Sequence, residues 1–176
     1  MTLRIESVNE LSNADKIILD LCGGTGAWSR PYKEVGYTVI NVTLPEYDVR
    51  TYQPPPDVYG ILAAPPCTHF CGSGARWWKG FDASEKTAES LAILDACIRI
   101  KDYCNPVFWC LENPVGRLQK LRPELGKPVM YFNPCDYGDP YTKKTCLWGK
   151  FNKPTENPVP CKGKNPIHYM PPSKDR

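Results

Sequence analysis

Apolar positions along the chain fall into short runs separated by glycine and proline, and one longer stretch has helical spacing. Residues 16–21 (Lys-Ile-Ile-Leu-Asp-Leu) are rich in branched side chains and lead into Gly23-Gly24. This pattern predicts a buried strand ending in a glycine turn. Residues 27–35 are expected to be helical, with Gly36 as the C-cap. A second strand is predicted over 37–42. The three prolines at 54–56 break the chain, and residues 58–64 form a third strand stopped by Pro65-Pro66. From Cys71 to Gly80 the sequence is rich in glycine and tryptophan and has neither period. Asp82 and Glu85 then have capping-box spacing, and Leu91, Leu94 and Ile98 recur on one face of a helix through about Tyr103. Residues 107–111 are the next strand and run into Glu112-Asn113-Pro114. The proline-rich remainder carries shorter candidate strands at 129–132 and 145–148.

Strands alternating with helices imply an α/β fold, with a mostly parallel sheet and helices on both faces. Ligands of such sheets bind outside the carboxyl ends of the strands. Asp20, Cys67 and Glu112 each sit at or just past such an end. Three chemically capable groups are therefore expected around one crevice.

Composition narrows the class. With 176 residues, 41% hydrophobic and 23% charged, the chain is expected to be one soluble domain. No stretch is apolar for long enough to span a bilayer. Residues 1–6 lack the apolar core of a signal peptide, so a cytoplasmic location is expected. Nine cysteines, an odd number, argue for reduced thiols rather than a disulfide framework. Cys135, Cys146, Cys161 and His168 match none of the paired zinc spacings, so no metal site is expected. The net charge of +3 does not by itself imply a nucleic-acid partner. However, Lys150, Lys153, Lys162, Lys164, Lys174 and Arg176 face only Glu156 and Asp175 in the last stretch. Such a basic tail either touches phosphate or is simply a solvated end.

Three motifs carry candidate chemistry, and each has a plainer reading. Asp20-Leu21-Cys22-Gly23-Gly24-Thr25-Gly26 lets backbone approach a ligand closely, or is only a tight turn. Cys67 after Ala64-Pro65-Pro66 is a pre-positioned nucleophile, or one more small buried side chain. Glu112 at the end of an apolar strand is a proton donor with a raised pKa, or a surface cap.

Taken together, the order and spacing of these motifs resemble the cytosine-C5 DNA methyltransferase family, in a small, phage-like form. The 20–26 run is similar to the family's cofactor glycine motif. Pro66-Cys67-Thr68-His69-Phe70-Cys71-Gly72-Ser73-Gly74 is similar to its Pro-Cys-Gln motif and the start of its mobile loop. Glu112-Asn113-Pro114 resembles its Glu-Asn-Val motif. Tyr137-Gly138-Asp139-Pro140-Tyr141-Thr142-Lys143 resembles its Gly-x-Pro-Gln-x-Arg-x-Arg motif. The resemblance spans about residues 16–149.

The resemblance implies a Rossmann-like fold that uses S-adenosylmethionine to methylate C5 of cytosine in DNA. Cys67 would attack C6, while Glu112 holds and protonates N3. The 72–80 segment would close behind a flipped base. Lys143 or Lys144 would stand in for a catalytic arginine. Asp20, Cys22, Gly24, Gly26, Asp48 and Pro65 would bind the cofactor, with Glu46 the nearest carboxylate for its ribose. Asn113, Ser73 and Arg76 would meet the substrate, with Trp77 and Trp78 at phosphate or in the gap left by the base. Trp28 would pack in the core. The implied location is the cytoplasm of a bacterium or a phage-infected cell. Residues 1–149 would be the catalytic domain and 150–176 a basic, proline-rich tail.

The chain departs from the family pattern at several positions. Cys22 stands where an aromatic residue is usual, Thr68 replaces Gln, and Tyr141 replaces Gln. Thr145 occupies the second arginine position and is too short to do the same work. Fewer than thirty residues follow Gly149, so no full target-recognition region is expected. Recognition would then come from a protein partner, or the substrate would be RNA or a free cytidine nucleotide, or the chain would be a catalytically silent cofactor-binding subunit.

Overall fold

The computed structural model describes residues 12–163. Six strands form one sheet: β1 (Ile17–Leu21), β2 (Thr38–Val42), β3 (Val58–Ala63), β4 (Phe108–Pro114), β5 (Met130–Phe132) and β6 (Thr145–Lys150). Their order is β2-β1-β3-β4-β6-β5. The first four are parallel, whereas β6 runs antiparallel between β4 and the edge strand β5. The chain moves outward from β1 to β2, then returns to place β3 on the other side of β1. The carboxyl ends of β1 and β3 therefore flank a topological switch point, where α/β sheets open a crevice.

Alternation along the strands divides the core between two faces. Ile18, Leu62, Cys110 and Leu147 pack together with Trp28, Tyr32, Tyr37, Tyr59 and Phe108. Leu19, Ile61 and Leu111 pack against Leu94, Cys97 and Ile100 of α3 (Lys86–Cys104). Each such aliphatic side chain, fully buried, contributes about 1.5–3 kcal/mol. Trp28, half-buried, packs against this core, in line with the packing role expected for it.

Several local expectations need correction. The first helix is only α1 (Arg30–Glu34), because residues 22–29 stay in the turn and Pro31 sits at the start of the helix. The aperiodic 71–80 stretch is helical: a 3₁₀ turn over Gly72–Trp77 continues into α2 (Trp78–Ala83). Asp82 and Glu85 form no capping box. Glu85 has φ +62° between the two helices, and the Asp82 carboxylate accepts from Arg117 instead. The buried stripe of α3 includes Thr87 and Ser90 as well as Leu94, while Leu91 and Ile98 are only half-buried. Those two hydroxyls have polar partners, Thr87 with Arg117 and Ser90 with His69.

The expectation of reduced thiols fails at one pair. Cys135 and Cys161 form a disulfide, their Cα atoms 5.6 Å apart, within the reach of such a bond. This pairing also removes two of the four side chains weighed as zinc ligands; a third, His168, lies outside the described residues. Of the proposed tail, Lys164, Lys174, Asp175 and Arg176 also lie outside them. The described part, 151–163, has no regular structure but runs along 135–142. Val159 N–H donates to Cys135 O, Lys162 N–H to Pro140 O, and Thr142 N–H to Gly163 O. A short helix, α4 (Leu118–Leu121), follows β4. Among the described residues, no helix is long and apolar enough to cross a membrane.

Candidate active site

The strand order makes β1, β3 and β4 neighbours, so the three strand ends singled out from the sequence do meet. Leu21 is in register with Ala63, and Ala63 with Leu111. Beyond Ala63 the chain turns through buried Pro65, exposed Pro66 and half-buried Cys67. The Asn113 side-chain amide donates to Pro65 O at 3.1 Å, tying the end of β4 to this turn. Asn113 is fully buried. Its amide holds the backbone that presents Cys67, and its Oδ1 is left without a partner.

β4 is longer than its apolar run suggested, and Glu112 lies within it. Burial pushes the Glu112 carboxyl up, and Lys143 opposes that shift. Lys143 Nζ stands 3.5 Å from Glu112 Oε1. Thr145, at the second arginine position, is buried, and its hydroxyl donates to Lys143 O at 2.8 Å. It therefore fixes the backbone of the lysine rather than reaching the site. Lys144 points elsewhere, with its ammonium over the Tyr131 ring at 5.8 Å.

The glycine turn after β1 has a different construction. Asp20 is fully buried, and both of its carboxylate oxygens lack a hydrogen-bond partner. Burial pushes its carboxyl up, partly countered by the hydroxyl and N–H of nearby Ser29. Asn41, in register with Asp20 on β2, donates from its side-chain amide to Gly24 O at 2.9 Å, and its own oxygen is unpartnered. A Cβ on Gly23 would collide with Asp20 and come within 2.5 Å of the Asn41 oxygen, so only glycine fits there. Gly24 and Gly26 have φ +53° and +71°. A buried carboxyl with only Ser29 nearby to offset its burial, beneath an open glycine turn, favours a ligand that is positively charged at its near end.

The other predicted cofactor contacts are more mixed. Cys22 has φ +60°, and a hydrogen bond with the Cys97 thiol lowers its pKa. Asp48 is engaged by Arg50, whose Nε lies 2.9 Å from Oδ1, and this pairing pulls the carboxyl down to about 2. Arg50 would have to share or release Asp48 for the carboxylate to meet an adenine amino group. Glu46 is exposed. At the mouth, Arg76 stacks on the exposed Trp77 ring at 5.1 Å. Ser73 Oγ lies 3.2 Å from Cys71 Sγ.

Sequence reasoning did not single out Arg117. Its backbone N–H donates to Phe70 O at 2.9 Å and its Nε to His69 O at 3.1 Å. Its guanidinium holds Asp82 through two bonds of 2.8 and 2.7 Å, reaches Thr87 Oγ1 at 2.9 Å and stacks on Trp78 at 4.7 Å. One side chain thus joins the Cys67 turn, α2 and the start of α3. Asp82 and Arg117 are 35 positions apart, and the one local pattern at Asp82, the capping-box spacing with Glu85, points away from Arg117.

No family model matches the chain. A curated relative, the type II methyltransferase M.DdeI of Desulfomicrobium norvegicum, is 26% identical, over 72% of this chain and 38% of the relative. A crystal structure of a candidate DNA modification methyltransferase encoded within an E. coli prophage superposes with a TM-score of 0.51. That match covers 76% of this chain and 46% of that chain, at 18% identity. The chain spans less than half the length of each. The strand order and the structural likeness together establish a Rossmann-like methyltransferase fold.

Proposed function

We propose that the chain transfers a methyl group from S-adenosylmethionine to C5 of cytosine in DNA through a covalent adduct on Cys67. The observation that carries this reading is the placement of Cys67 at the end of β3, where Glu112 and Lys143 both act electrostatically on its thiol. The likeness to a type II methyltransferase supports methyl transfer to DNA as the reaction class.

In this mechanism the Cys67 thiolate forms a bond to C6 of the base. Glu112, its pKa raised by burial, keeps a proton to higher pH than an exposed glutamate and gives it to N3. The electrons displaced from C6 make C5 nucleophilic. Bound S-adenosylmethionine supplies the electrophilic methyl group. Loss of the C5 proton to solvent, departure of Cys67 as the thiolate and return of the N3 proton to Glu112 restore the ring. Lys143 offsets negative charge at Glu112 after it has given up its proton. The glycine turn over Asp20 and Asn41 would hold the cationic, amino-acid end of the cofactor, with Pro65 beside it. The 72–83 segment, with Arg76 and Trp77 exposed, would meet a strand phosphate and the space left by a flipped base.

The test is transfer of labelled methyl to duplex DNA, single-stranded DNA, transfer RNA and deoxycytidine monophosphate. Label at cytosine C5 of either DNA is expected. Label on RNA or nucleotide alone would replace the substrate class. No label, with cofactor binding intact, would overturn the reading in favour of a silent subunit.

A further inference from the structure

The segment that carries Glu112 also grips the chain on both sides of Cys67. Before the cysteine, the Asn113 amide donates to Pro65 O at 3.1 Å. After it, the N–H groups of Phe70 and Cys71 donate to Cys67 O at 2.9 Å, which closes one helical turn. The far end of that turn is held by the same segment. Gly72 N–H donates to Val115 O and Arg117 N–H to Phe70 O, both at 2.9 Å, and Gly116 bridges to Cys71. A Cβ on Gly116 would fall 1.9 Å from Phe70 O, so this close approach needs glycine. Glu112 and Cys67 are thus mounted on one backbone frame.

The Arg117 side chain, 10% exposed, extends the frame into the helices. Its Nε donates to His69 O at 3.1 Å, while its other nitrogens hold Asp82 of α2 and Thr87 of α3. The His69 ring meets the same two helices, with Nδ1 2.6 Å from Ser90 Oγ and the ring edge-on to Phe81 at 4.6 Å. Those contacts orient the ring, and the guanidinium fixes the carbonyl. The Asp82 carboxylate pairs with the Arg117 charge, so what the arginine gives the site is geometry. An ammonium is a point charge and cannot serve acceptors placed around a planar fork.

We propose that Arg117 is a positioning residue for the nucleophile: by fixing His69 O against α2 and α3, it sets where Cys67 stands relative to Glu112. This rests on the reading that Cys67 attacks the base. Arg117 acts through the Cys67 turn. A displacement of about 1 Å at a reacting group costs about 10²-fold in rate.

The test compares two arginines at opposite ends of α4. Arg117 precedes the helix, and Arg122 follows it, holding Asp95 of α3 through bonds of 2.7 and 2.6 Å. Arg117→Lys and Arg122→Lys are made in the full chain. Formation of the covalent adduct with 5-fluorocytosine DNA and S-adenosylmethionine is timed across DNA concentrations. In Arg117→Lys the rate at saturation should fall about 10²-fold, with the half-saturating DNA concentration within about threefold of wild type. Arg122→Lys should keep the saturated rate within about twofold. Iodoacetamide labelling, read by peptide mass spectrometry against half-buried Cys104, reports the turn itself. Cys67 should be alkylated at least about threefold faster in Arg117→Lys, because the turn opens more often. If Arg117→Lys also exposes buried Cys97 and Cys110, the result is read from Thr87→Val. That variant keeps the arginine and removes one anchor, and its saturated rate should fall at least about threefold. An unchanged saturated rate or unchanged Cys67 labelling in the folded variant, or an equal fall in Arg122→Lys, would overturn the proposal. A wild type that forms no adduct would instead overturn the reading of Cys67 on which it rests.

Discussion

The two sides of the crevice are built in opposite ways. At the end of β1, the side chains are buried and uncompensated: Asp20 and Asn41 keep three oxygens without partners, and the ligand-facing surface is backbone. At the ends of β3 and β4, the charged side chains are part-exposed and paired, as in Lys143 with Glu112 and Arg117 with Asp82. The first side stores an electrostatic cost that a cationic ligand relieves. The second distributes charge among partners that must give way or exchange protons during a reaction. A binding surface can be rigid and unsatisfied, whereas a reacting surface needs groups whose protonation states are linked.

Removing the reactive group should break the second side most completely. Cys67→Ser should abolish the heat-stable adduct with 5-fluorocytosine DNA and reduce methyl transfer to background, with cofactor binding intact. An adduct persisting in this variant would remove Cys67 from the mechanism.

Glu112→Gln comes next, with turnover expected to fall by about 10²–10⁴ while cofactor affinity holds. The same variant sharpens the comparison through stability. The Glu112 pKa is raised on folding, so its contribution is favourable below the unfolded value and is lost as pH rises through the folded value. At neutral pH the ionised group therefore costs stability. Glu112→Gln should melt higher than wild type near pH 8, with the difference shrinking below about pH 4.5. A lower melting temperature at both pH values would mean that the Lys143 pairing outweighs burial.

The two sides also differ in how far the sequence reveals them. The glycine turn is local: Asp20 and its glycines are contiguous, and the φ values that require Gly24 and Gly26 follow from one short motif. The strands were legible for the same reason, since alternation and proline boundaries are short-range features. The Cys67 side was only half legible. Cys67 and Glu112 stood out at strand ends, but Arg117 acts through contacts between distant segments, and the Thr145 hydroxyl bond to Lys143 O follows from no motif. The helical 72–83 segment was missed because its order comes from Arg117 rather than from an apolar stripe of its own. The Cys135–Cys161 bond was missed because an odd cysteine count says nothing about which two will meet.

A mutation on the first side should act through packing. Gly23→Ala forces a methyl group into Asp20 and Asn41, and should cost about 1–3 kcal/mol of stability. Cofactor affinity should weaken with it, while alkylation at Cys67 stays unchanged. Urea unfolding and isothermal titration read the two effects, and a change at Cys67 would show that the sides are coupled.

The smallest expected effect lies at Asp82. Its carboxylate, held by Arg117, has its pKa pulled down to about 2. A carboxyl lowered on folding contributes stability above its unfolded value, near 3.8, and loses that contribution as pH falls through the folded value. Asp82 is half-exposed, so solvent and salt screen most of this. Asp82→Asn should therefore lower the melting temperature slightly at neutral pH, and less so as pH approaches 2. The larger consequence is local. With one anchor of Arg117 gone, the 72–83 segment should open more often, and trypsin should cut faster at exposed Arg76 and Lys79. Faster cutting with a nearly unchanged melting temperature is the expected signature of a latch on one loop. Equal cutting rates would mean that stacking on Trp78 and the bond to His69 O hold the segment without Asp82.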